Sequence, residues 1–97
     1  MPRLIRTERG VYLGDNPTKP LAKIDFSRSN DGIIVIQHTF VSESLKGQGV
    51  GRVLVQEVIA IAREKQLKIL PLCPFARRVM AGDEACRDIL VELPAGD

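Results

Sequence analysis

The chain of 97 residues suits one domain, large enough by size scaling to bury somewhat more than ~60% of its unfolded surface without disulfide or metal staples. Aromatic residues make up only 4%, with no Trp, and fourteen basic residues against twelve acidic ones give a net charge of +2, so neither base stacking nor a strong field for nucleic acid is available. Cys73 and Cys86 occupy no CxxC or Cys/His metal spacing and read as free thiols, residues 1–10 lack the apolar core of a signal peptide, and no stretch nears the ~18 apolar residues of a membrane helix, which makes the reducing cytoplasm the expected compartment.

Four short extended segments come first, at residues 3–6, 11–13, 21–26 and 33–41. Gly10 and Gly14 punctuate the first two. Asp15-Asn16-Pro17 precedes the third and Asn30-Asp31-Gly32 the fourth, which predicts turns and an antiparallel meander. Ile33-Ile34-Val35-Ile36 is apolar on both alternations, the pattern of a central strand covered on both faces. Gln37, His38 and Thr39 then bring polar groups to the strand end, where open sheets hold ligands.

From residue 50 to 62, Val50, Val53, Leu54, Val58, Ile61 and Ala62 recur at helical spacing and predict one buried helix face. Residues 67–73 read as a second buried strand, parallel to the one at 33–41 through a right-handed crossover. The ends near His38 and Cys73 are then neighbours. Pro71 lacks a donor, which suits an edge, a bulge or a divergence of two strands. Pro74 fits the first turn of a helix continuing to Met80, Gly82 stops it, and residues 83–91 predict a last short helix.

Lys46-Gly47-Gln48-Gly49-Val50-Gly51 lies between the central strand and the long helix, where free amides and the helix dipole favour an anion. Neither the Walker nor the dinucleotide glycine spacing is matched. The turn resembles the pyrophosphate-binding segment of the GNAT acyltransferase superfamily, in which Arg or Gln, two residues, Gly, any residue, and Gly or Ala open a helix. Together with His38-Thr39-Phe40-Val41 and Pro71-Leu72-Cys73-Pro74-Phe75-Ala76, it resembles the small single-domain GNAT-like proteins over roughly residues 20–90. Lys46 departs from the usual Arg or Gln, and Cys86 stands where these proteins often carry Tyr.

The resemblance implies a single-domain α+β fold over residues 1–97: a mixed sheet built from an antiparallel meander, a strand-helix-strand crossover and C-terminal short helices. It also implies an acetyl-CoA-dependent N-acetyltransferase acting on an unidentified amine, as a monomer or weak homo-oligomer with no nucleic-acid or membrane partner. Expected cofactor contacts are Thr39, Val41, Lys46, Gly47, Gln48, Gly49, Gly51, Arg52, Pro74, Ala76 and Arg77. Gln48, Gly49, Gly51 and Arg52 offer amides to the pyrophosphate, and Arg77 or Arg78 meets the ribose phosphate. Acetyl transfer needs an uncharged amine, so His38 is the candidate general base, directly or through water. Cys73 can form an acyl-enzyme with His38 activating it, protonate the departing thiolate, or simply line the pocket. No metal is expected. The alternatives are a non-catalytic acyl-CoA-binding or sensing module and a generic phosphate-ligand protein.

Overall fold

The computed structural model describes residues 3–14 and 18–91. Leu4–Thr7 (β1), Gly10–Leu13 (β2), Ala22–Arg28 (β3) and Ile33–Val41 (β4) form an antiparallel meander, and Val50–Lys65 (α1) crosses over to Lys68–Pro71 (β5), parallel to β4. Pro74–Ala81 (α2) follows. The expected mixed sheet is therefore present, in the order β1-β2-β3-β4-β5. Gly32 turns β3 into β4 at φ 78°, a conformation that favours glycine, whereas the expected turn at Asp15-Asn16-Pro17 lies outside the described residues.

Among the described residues, both helices pack on one face of the sheet. Ala22, Ile24, Ile34, Ile36 and Ile69 are fully buried beneath α1, whose Leu54, Val55, Val58 and Ala62 are fully buried in turn. Each larger side chain so buried contributes roughly 1.5–3 kcal/mol. Val53 is exposed, while Val55 and Ile59 face the core: Leu54, Val58, Ile61 and Ala62 are buried as expected, but the buried stripe extends to the side of Val55 and Ile59 instead of Val53. The expectation that β4 is covered on both faces is also corrected. Ile33 and Val35 are only half-buried, because the described residues place no element on the second face.

Helix α1 ends at Gln66, whose left-handed backbone (φ 58°) returns its amide to the last carbonyls, with Arg63 and Lys65 favourably placed in the final turn. Arg6 of β1 grips Glu64 with both terminal nitrogens, at 2.9 and 3.0 Å, and Glu57 with Nε, fastening the edge hairpin to the crossover helix. β5 stops at Pro71 instead of reaching Cys73, since Pro71 has no amide to continue the ladder and the two parallel strands diverge there. A short helix over residues 83–91 is not formed. One 3-10 turn, Glu84–Cys86, is followed by residues that lie along β5: Ile69 N donates to Ile89 O at 2.7 Å and Val91 N to Ile69 O at 2.8 Å. Satisfying the outer edge of β5 wins over local helical tendency. No helix among the described residues is long and apolar enough to cross a membrane.

Candidate active site

A bulge in β4 sets the site. Asp25 pairs with His38 and Phe26 with Ile36, leaving Gln37 without a partner on β3. That extra residue reverses the alternation along β4, so Ile34, Ile36, Thr39 and Val41 share the helix-covered face while His38 and Phe40 share the uncovered one with Lys23 and Asp25. It also redirects the main chain. Ser42 N bonds Leu21 O at 2.9 Å, so by alternation Thr39 and Val41 turn their amide and carbonyl groups away from β3. Those groups face the opening where β5 has left, because the parallel ladder ends at Ile36 and Pro71, and Ile36 O accepts from both Leu72 N (3.0 Å) and Cys73 N (3.1 Å).

At the other end of this opening lies the glycine turn. A 3-10 turn at Glu43–Leu45 leads into Gly47 (φ 82°) and Gly49 (φ 77°), both in the region that favours glycine, with open space where a Cβ would stand. Gly49 caps α1 without a side-chain bond, and the first helical bond runs from Val53 N to Gly49 O at 3.1 Å. Among the described residues, the amides of Gly47, Gly49, Val50, Gly51 and Arg52 thus have no acceptor, and the positive end of the α1 dipole adds to them. The Gln48 amide differs: it bonds Leu45 O at 3.3 Å, and its side-chain Nε2 bonds Ser44 O at 3.1 Å.

A cavity of about 420 Å³ joins the turn to β4. Its polar wall comprises Lys46, Gly47, Gly49, Gly51 and Arg52, and its remaining wall comprises Thr39, Val41, Leu45, Val50, Phe75 and Val79. The structure thus brings together seven of the expected cofactor residues, Thr39, Val41, Lys46, Gly47, Gly49, Gly51 and Arg52, and leaves Gln48, Pro74, Ala76 and Arg77 outside the lining. Leu45, Val50, Phe75 and Val79 are additions that sequence reasoning missed. Lys46 Nζ is held by Glu43 Oε1 at 3.1 Å, an exposed pair. Arg77 turns Nε toward Pro71 O at 3.4 Å, bracing the first turn of α2 against the end of β5.

Cys73 is the N-cap of α2 and 7% exposed, with Sγ 3.4 Å from Thr39 Oγ1. Burial pushes its thiol up, but the Thr39 hydroxyl and the amides of Ala76, Phe75 and Thr39 together hold it below the ordinary cysteine value. Cys86 is the contrast: burial and Asp83 push its thiol up, and Sγ donates to Asp83 O (3.2 Å) and Met80 O (3.4 Å), as in a packed structural cysteine. The direct pairing of His38 with Cys73 is corrected. The bulge at Gln37 sends the exposed His38 to the uncovered face, and Thr39 is the side chain that meets Cys73. No group of three or more acidic, His or Cys side chains that could hold a metal occurs among the described residues.

A sequence model described as GCN5-related N-acetyl-transferase matches residues 11–89. The NMR solution structure of a GCN5-like protein from Staphylococcus aureus superposes with a TM-score of 0.79 at 34% identity, covering 96% of this chain and 91% of that one. The ribosomal-protein-S18-alanine N-acetyltransferase from Escherichia coli superposes with a TM-score of 0.60 at 18% identity, covering 79% and 53% respectively, a likeness of fold. Comparison with curated proteins gives no match.

Proposed function

The chain belongs to the GCN5-related N-acetyltransferase family, and on that premise we propose that it acts as a single-domain, acetyl-CoA-dependent N-acetyltransferase toward an amine acceptor. The observation that carries this reading is the set of unbonded amides of Gly47, Gly49, Val50, Gly51 and Arg52, at one end of the opening left where β5 diverges from β4, with Cys73 bonded to Ile36 O at the divergence. The fit is chemical as well as steric: a diphosphate needs donors and positive potential, and the apolar remainder of the cavity suits an uncharged arm. Acetyl-CoA, when bound, supplies an activated acyl carbonyl for attack by the amine.

In this reading the amides of Gly49, Val50, Gly51 and Arg52 hold the diphosphate, with Lys46 and Arg52 adding charge. The main-chain groups of Thr39 and Val41 take the amides of the arm as an added strand would. Cys73, kept in line by Thr39, donates its proton to the departing thiolate, and its lowered thiol makes it a better acid for that step. His38, on the uncovered face, takes the proton of an amine arriving from that side, through water if need be. Positioning contributes about 7–11 kcal/mol, against a factor of ~10²–10⁴ from one acid or base, so replacing either side chain slows turnover without abolishing it. The same reading places the protein in the cytoplasm with both thiols free, as a monomer or weak homo-oligomer.

The test is thermal melting with acetyl-CoA or ADP, followed by thiol release in the presence of an amine panel. At 100 times its dissociation constant a ligand adds ~2.7 kcal/mol, and ~1 kcal/mol moves the midpoint of a domain this size by roughly 4–8 °C. A shift with acetyl-CoA that clearly exceeds the shift with ADP, together with amine-dependent thiol release, is the expected result. Equal shifts would refute the cofactor assignment. Stabilisation without thiol release from any amine would leave a non-catalytic acyl-CoA binder.

A further inference from the structure

The three glycines of the turn do different work. Gly47 and Gly49 have positive φ and empty space beside them, so the backbone itself requires glycine there. Gly51 has an ordinary helical backbone, where alanine stabilises a helix relative to glycine. Its reason is steric: a Cβ at Gly51 would stand 2.6 Å from Cζ and 2.8 Å from Cε2 of Phe75. The ring of Phe75 lies in the notch that the missing side chain leaves. Phe75 is one of four aromatic residues in the chain, sits at the second position of α2, two residues after Cys73, and spans from there to the first turn of α1. It is 39% exposed and lines the cavity between the two helix N-termini.

We propose that Phe75, seated on Gly51, is a specificity-determining residue: its ring is the apolar wall that makes the site select a CoA thioester over a nucleotide lacking the pantetheine arm, and Gly51 is glycine to seat that ring, not to let a phosphate approach. The argument rests on the cofactor assignment made above. An aromatic face left open inside a cavity, flanked by Val50 and Val79, offers its apolar area to an uncharged chain and little to a diphosphate. Because the ring sits between the diphosphate amides and Cys73, the part of the ligand that runs along it is the part joining diphosphate to sulfur.

The experiment compares the wild type with Gly51→Ala, Phe75→Ala, Phe75→Leu and the Gly51→Ala/Phe75→Ala double variant. Calorimetric affinities are measured for CoA and for its nucleotide part, adenosine 3′-phosphate 5′-diphosphate, alongside melting midpoints. Phe75→Ala weakens CoA by about tenfold, the order expected for losing one aromatic wall, and the nucleotide by less than about twofold; Phe75→Leu recovers part of the loss. Gly51→Ala weakens CoA in the wild-type background by displacing the ring, yet has no further effect on CoA in the Phe75→Ala background, where it raises the melting midpoint more than it does in the wild type. If Gly51→Ala weakens both ligands alike in both backgrounds, the glycine serves the phosphate and the proposal is overturned. An unchanged CoA-to-nucleotide ratio in Phe75→Ala overturns it as well, with CoA still bound. Failure of the wild type to bind CoA instead removes the assignment on which the proposal rests.

Discussion

Replacing Thr39 by Val removes the hydroxyl that meets Cys73 Sγ at 3.4 Å and keeps both the shape of the side chain and its preference for a strand. The opposing effect of burial remains, so the Cys73 thiol rises and the thiolate fraction at a fixed pH below its titration falls. At that length the bond is worth about 0.5–1.5 kcal/mol, a factor of roughly 2–12 in thiolate fraction. A more basic thiolate is intrinsically more nucleophilic, and with a Brønsted slope of about 0.4–0.5 this returns nearly half of the change on a logarithmic scale. The net expectation is attack on an aromatic disulfide slowed by about 1.6–4-fold near neutral pH, with the pH–rate curve displaced upward. Release of the aromatic thiolate is followed from pH 6 to 9, and a Cys73→Ser variant identifies the phase that belongs to Cys73. Cys86, buried and pushed up, reacts only in a slow phase. An unmoved curve in Thr39→Val would mean that the hydroxyl does not support the thiolate, and the proton-donor role of Cys73 would lose its physical basis.

Glu43→Gln frees Lys46 from its 3.1 Å partner, and because the pair is exposed the gain in CoA affinity is limited to about two- to fivefold, vanishing in high salt; titration calorimetry at two ionic strengths checks it, and weaker binding would contradict it. Arg6→Gln removes the groups that hold the Glu64 carboxyl below its ordinary value. A depressed folded-state carboxyl stabilises above the unfolded value and loses that contribution as pH falls through the folded one. The wild-type midpoint therefore drops more steeply than that of Arg6→Gln as the pH is lowered through and below the carboxylate range, and parallel profiles by calorimetry would refute the link.

Much of the scaffold was legible because its signals are local. Ala22, Ile24 and Phe26 alternate against Lys23 and Asp25, and the helical spacing through Leu54 and Val58 marks α1, so periodicity alone separates strand from helix. Gly47 and Gly49 announced the anion-binding turn because their conformations belong to the backbone. What was not legible depends on partners distant in sequence. Gln37 carries no mark of a bulge, which exists only in register with Asp25 and Phe26, and that bulge decides that Thr39 and not His38 reaches Cys73. The role of Gly51 is set by Phe75, 24 positions further on, and residues 89–91 follow the open edge of β5 instead of completing a helix.

The most direct test is a titration of isotopically labelled protein with acetyl-CoA, followed through its amide resonances. Shifts are predicted to be largest at Gly47, Gly49, Val50, Gly51 and Arg52, to continue through Thr39 and Val41 to Cys73, and to shrink to the glycine turn alone when ADP is added instead. Saturation that leaves the turn unperturbed, or an identical footprint from both ligands, would contradict the account.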